Sequence, residues 1–211
     1  MKAIISLFTL TLLFGTALMA QTKFGIKAGA NFGDIIENVE FNTDDFGEVD
    51  GLDYNLRINP QLGVWLDLPL TSQLSIQPEL LWTQKAMQAT ENNPMDTYVN
   101  FHYFSLPVLA KYKLGKLSIE AGPEVSFLLD QSFRNNDGGL DESPLIDENE
   151  LELAINLGIQ YQHNNWIIGA RASRDVTSFQ DLDFTDINGE PVGSANAFHQ
   201  SVMLWVGYQL K

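Results

Sequence analysis

The sequence contains no cysteine. That excludes a disulfide framework, a thiolate metal site and a lipid-modified N-terminal cysteine. Basic residues are scarce: 12 Lys and Arg stand against 27 Asp and Glu, a formal net charge of −15. With no basic patch to displace counterions from phosphates, nucleic acid is excluded as a partner. After residue 20 no apolar run reaches the length of a membrane helix, and no segment keeps a helical period. Chemistry-bearing motifs are missing as well: there is no glycine-rich nucleotide loop, no zinc spacing and no nucleophile elbow. The expectation is no catalytic residue, no metal site and no cofactor.

What is present begins with an export signal. Lys2 supplies the positive start, Ala3 to Phe14 is apolar apart from Ser6, Thr9 and Thr11, and small residues follow up to Ala20. This pattern reads as a signal peptide over residues 1–20, cleaved before Gln21. Residues 21–211 then form a single domain.

Within that domain a two-residue beat recurs in eight segments. In Lys23 to Phe32 one face carries Phe24, Ile26, Ala28, Ala30 and Phe32, and the other Lys23, Gly25, Lys27, Gly29 and Asn31. Successive strand side chains point to opposite faces, so such a segment is a strand with one apolar and one polar side. The same beat runs through Gln61–Pro69, Leu74–Lys85, Tyr98–Leu114, Leu117–Leu129, Leu151–Tyr161, Trp166–Arg174 and Phe198–Lys211. Connections alternate. Leu70 to Gln73, Gly115 with Lys116, and Gln162 to Asn165 are tight turns built from turn residues. The others are long and acidic. Asp34–Arg57, Glu91–Asp96, Asp130–Glu150 and Asp175–Glu190 together hold 22 carboxylates and only Arg57 and Arg134 as bases. An even strand count with short turns at one end and long loops at the other is the layout of a bacterial transmembrane barrel.

Two features set the apolar face toward lipid. Gly25, Gly29, Gly63, Gly122, Gly158, Gly169 and Gly207 all fall on the polar face. Glycine weakens a strand unless something must approach its backbone, and in a narrow eight-stranded barrel it makes room for long interior side chains. Aromatics on the apolar face cluster near strand ends, with Phe24, Tyr112, Tyr161, Trp166 and Tyr208 at the short-turn end and Phe32, Trp82, Phe104 and Phe198 toward the other. Such girdles mark the two lipid interfaces. The polar face then sends Lys27, Asp67, Glu79, Lys111, Glu120 and Arg171 inward from six strands. Three bases and three acids at that density predict a paired network that fills the lumen rather than an ion path. Glu124 and Glu152, nearer the loops, are expected to be wetter.

Candidate chemistry is thin. His163 lies in a turn and His102 shares the apolar face with Phe104. His199 and Ser201 share a face, which leaves open an outer-membrane lipid hydrolase, but strand residues two apart stand about 7 Å apart and no orienting acid is evident. The stretch Asp181, Asp183, Asp186, Asn188, Gly189, Glu190 is rich in oxygen ligands, yet it departs from calcium-loop spacing and reads as a solvated loop. A third alternative is a soluble periplasmic lipocalin-like barrel with its apolar face inward.

The segments FGIKAGANF, LSIQPELLWTQKA, YFSLPVLAKYKLG, LSIEAGPEVSFLL and the closing VGYQL resemble the Bacteroidetes outer-membrane β-barrel family that includes PorT-like proteins. The resemblance spans the mature chain and rests on the order of short, degenerate segments. It implies an eight-stranded barrel. Most members have no assigned activity, and PorT itself is linked to a secretion system. The expectation is an all-β protein, an eight-stranded antiparallel up-and-down transmembrane β-barrel. It would be a monomer in the outer membrane, against lipid and lipopolysaccharide, with a plugged polar lumen. Its role would be structural, or docking to another envelope protein through the acidic loops.

Overall fold

The computed structural model describes residues 22–41, 57–88, 97–135, 140–141, 150–185 and 191–211. The expected signal peptide (1–20), the acidic loop 91–96 and the 186–190 half of the calcium-like stretch lie outside these residues. Among the described residues every regular element is a strand: β1 Lys23–Phe41, β2 Arg57–Pro69, β3 Leu74–Gln88, β4 Thr97–Leu114, β5 Leu117–Asn135, β6 Leu140–Asp141, β7 Leu151–His163, β8 Trp166–Asp175, β9 Gln180–Thr185 and β10 Pro191–Gln209. Eight of these form the barrel. Neighbours pair antiparallel in the order β1, β2, β3, β4, β5, β7, β8, β10, and β10 returns to β1, closing the sheet. The two-residue β6 only extends β5, and β9 adds to the free side of β10.

Three tight turns join the strands at one end. Gly115 sits at φ 69° and Asn164 at φ 54°, left-handed conformations that glycine adopts freely and asparagine tolerates. In the turn between β2 and β3 the Thr71 hydroxyl accepts from the backbone N–H of Gln73 and Leu74 at 3.2 and 2.9 Å.

The apolar face is outside. Along β7 exposure alternates residue by residue, with Leu157 61% exposed and Glu152 only 1%. Ile26, Leu62, Leu80, Val108, Ile119, Ile168 and Leu204 are likewise exposed, whereas Lys27, Gln61, Glu79, Lys111, Glu120 and Arg171 are buried. The lipocalin-like alternative, with its apolar face inward, is thereby overturned. At the short-turn end Trp166 packs edge-on against Tyr208 with ring centroids 5.0 Å apart.

The strands run further than the hydrophobic beat indicates. β1 extends to Phe41, β10 starts at Pro191, and their ladder continues to Phe41↔Gly193. Asp34–Phe41, Asp175, Gln180–Thr185 and Pro191–Ala197, all expected in connections, belong to strands. Nineteen residues at ~3.3 Å each span ~60 Å, whereas 9–11 tilted residues cross the hydrocarbon. Beyond the lipid neither face has to be apolar, so the alternation that reveals a strand fades while its hydrogen bonding persists.

Candidate functional site

In the lower half of the interior Trp65, Ile167, Met203 and Trp205 form a buried apolar cluster. The indoles fit because glycines face them: a Cβ at Gly25 would lie 2.4 Å from the Trp65 ring, and one at Gly169 would lie 2.4 Å from that of Trp205.

Alongside this cluster lies a charged layer centred on Arg171 of β8. Its Nη1 and Nη2 donate to the two carboxylate oxygens of Glu79 on β3, both at 2.8 Å. Its Nε and Nη2 donate to Glu120 Oε1 on β5 at 2.8 and 2.7 Å. In register Glu120 faces Gly158, and Gly158 faces Arg171. A Cβ at Gly158 would come 2.8 Å from Glu120 Oε1, so the missing side chain lets the pair meet across an intervening strand. Lys27 Nζ donates to Glu79 Oε2 at 2.9 Å and rests 4.2 Å over the Trp205 ring. Gln77 donates to Glu79 Oε1 at 2.7 Å. Beside this group Asp67 pairs with Lys111 and Lys113, each at 2.9 Å, and Lys111 also donates to Gln77 Oε1 at 2.6 Å. Lys27, Asp67, Glu79, Lys111, Glu120 and Arg171 are thus all buried and each is ion-paired.

A cavity of about 30 Å³ lies higher, lined by Asn31, Asn59, Gln61, Thr83, Glu124, Asn156, Asp175 and His199 among others. Asn31 Oδ1, Asn59 Nδ2, Gln61 Oε1 and Asn156 Oδ1 are buried with no hydrogen-bond partner. A polar space of that size suits one or two waters. Glu124 accepts from Asn156 Nδ2 at 3.0 Å and Ser126 Oγ at 3.1 Å.

Next to this cavity is a second charged group that the sequence pattern did not reveal. Lys85 Nζ of β3 donates to Glu152 Oε2 of β7 and to Asp175 Oδ2 of β8, the latter at 3.1 Å. His199 Nδ1 of β10 lies 3.3 Å from Asp175 Oδ2 and 3.5 Å from Glu152 Oε2. Glu152 and Glu124, expected to be wetter, are buried at 1% and 8% exposure. The reason is a lid. Phe179 turns inward from the segment expected as loop, held by its N–H to Ala197 O at 2.9 Å. Its ring stacks on His199 at 4.1 Å, with Phe101 and Tyr103 edge-on at 5.8 and 6.3 Å. Neither ring nitrogen of His199 has a hydrogen-bond partner, so no bond joins it to Ser201. His102 points outward and stacks on Trp82 at 5.5 Å. Lys85 stands at the end of a strand segment and Asp175 at the start of an expected loop; only the three-dimensional register brings them beside His199.

The model of a family described as outer membrane protein beta-barrel domain matches residues 8–181. No curated protein matches the chain. Neisserial surface protein A is similar in structure, with a TM-score of 0.50 at 10% identity, covering 88% of this chain and 96% of that one. Ail, the attachment invasion locus protein of Yersinia pestis, solved with the heparin analogue sucrose octasulfate, gives 0.48 at 14% identity over 90% of this chain and 99% of its own. OprG of Pseudomonas aeruginosa gives 0.46 at 12% identity, covering 90% and 94%. At such identities the likeness to Neisserial surface protein A concerns the fold alone.

Proposed function

The chain belongs to the outer membrane protein beta-barrel domain family and resides in the outer membrane; from that premise we propose that it is a sealed barrel with a structural or docking role, not a diffusion channel. The observation that carries this reading is the Arg171 layer. Four cationic side chains (Lys27, Lys111, Lys113, Arg171) interleave with three carboxylates (Asp67, Glu79, Glu120) across the lumen, beside two buried tryptophans. Eight strands leave an interior that side chains can fill, and a layer in which every charged side chain is ion-paired offers an ion no free charge to step along.

The docking half of the proposal rests on charge placement. The acidic connections confer a negative outer surface that repels anions and meets cation-bearing partners. The partners in this reading are lipid and lipopolysaccharide around the barrel and another envelope protein at its loops, with the barrel itself monomeric. The resemblance to PorT-like barrels extends the role toward association with secretion machinery. No step of catalysis is part of it.

Liposome swelling tests the seal. Proteoliposomes in isotonic solutions of small sugars are expected to swell no faster than protein-free vesicles. Swelling that scales with protein content and falls with sugar size would replace the sealed barrel by a pore.

A further inference from the structure

Glu152, Asp175 and His199 place ligand atoms within 4.8 Å of one another, all three buried. Acidic clusters alone say little, but this one carries an independent sign. His199 is only 5% exposed, and neither of its ring nitrogens has a hydrogen-bond partner. Nδ1 nevertheless lies within ion-pair distance of both carboxylates, 3.3 Å from Asp175 Oδ2 and 3.5 Å from Glu152 Oε2, without the alignment of a hydrogen bond. Two ligands about 2.05 Å from a tetrahedral ion stand about 3.3 Å apart, so these separations are those of donors sharing one metal. Charge points the same way. Among the described residues three buried carboxylates in this upper layer, Glu124, Glu152 and Asp175, lie around one ammonium, that of Lys85. Buried charge of one sign demands a partner.

From this geometry we propose that Glu152, Asp175 and His199 bind one divalent transition-metal ion, with Lys85 as a built-in competitor. One imidazole and two carboxylates are a donor set for Zn²⁺, Mn²⁺, Fe²⁺ or Co²⁺, whereas Ca²⁺ and Mg²⁺ want oxygen alone. Lys85 Nζ donates to the same two oxygens that would ligate the metal. It offsets part of the carboxylates' charge in the metal's absence and swings away when the metal arrives, with the adjoining cavity as the route by which water completes the coordination. Phe179, stacked on the imidazole, fixes the ring plane and excludes bulk solvent. This site lies outside the Arg171 layer, and the seal does not depend on it.

The test uses the full mature barrel in detergent, chelator-stripped and then titrated with Zn²⁺ by calorimetry and with Co²⁺ by visible absorption. One saturable Zn²⁺ equivalent and a four-coordinate Co²⁺ spectrum are expected. His199→Ala should weaken Zn²⁺ binding about 100-fold, and Lys85→Met should tighten it about tenfold or more by removing the competing charge. That gain is not what loss of a merely structural ion pair would give. Gel mobility of unboiled samples identifies variants that fold; if His199→Ala does not, His199→Gln replaces it. Absence of a saturable equivalent in both the parent protein and Lys85→Met overturns the site. So does binding that His199 substitution leaves unchanged, which would assign the ions to the acidic loops.

Discussion

Arg171 uses four hydrogen bonds to join strands that are far apart in sequence: Glu79 is 92 residues away and Glu120 is 51. Glu79 in turn accepts from Arg171, Lys27 and Gln77. Removing Arg171 therefore leaves Glu120 buried without its ionic partner and Glu79 with only Lys27 and Gln77. Arg171→Met is expected to destabilise the barrel by about 3–5 kcal/mol, read as a lower thermal midpoint of the folded form in detergent; an unchanged midpoint would show that the layer is wet and weakly coupled. The alternation of strand residues tells which side of the sheet a charge takes, because that depends only on local period. It does not tell which charge meets which. The fit of Glu120 to Arg171 through the space left by Gly158 is a property of register. Lys85, the last residue of its beat, has no partner legible in the sequence, and Asp175 and Phe179 lie where the apolar face has ended and no beat marks them.

At the scale of elements, the long strands are the departure that matters most. β10 is bonded to β1 on one side through Phe41↔Gly193 and to β9 on the other through residues 191–197. A three-stranded piece of sheet thus rises beyond the barrel's lipid-facing wall. Its carboxylates, Asp34, Glu37, Glu40, Asp181 and Asp183, made it resemble loop in the sequence. Hydrogen bonding does not require a hydrophobic face, only the desolvating lipid does. Hydrogen exchange in detergent is expected to show the amides of Ser194–Ala197, held between two neighbours, protected well above those of the turn Leu70–Gln73. Exchange as fast as in that turn would mean that the strands end at the rim. The short-turn ends are more readable, because Gly115 and Asn164 sit at positive φ values that tight turns demand, although Gln162 and His163, expected in the turn, still pair in β7 with Ile167 and Trp166.

For the molecule as a whole, one decision fixes the rest: the apolar face meets lipid and the polar face meets itself. The strand count and order followed from the beat and from the sorting of short and long connections, both of which are imposed by a bilayer with two different sides. Charge is sorted in the same sense: most of the chain's excess of carboxylates falls, in sequence, in the connections and the strand extensions. A closed sheet has no free edge along its wall, so the barrel should resist detergent until heat opens it. The most direct measurement is the gel mobility of the mature protein extracted from the outer-membrane fraction, boiled and unboiled. Faster migration of the unboiled sample is expected for a compact barrel held shut by the β1–β10 seam. Identical mobility, or recovery of the protein in the detergent-free soluble fraction, would contradict it.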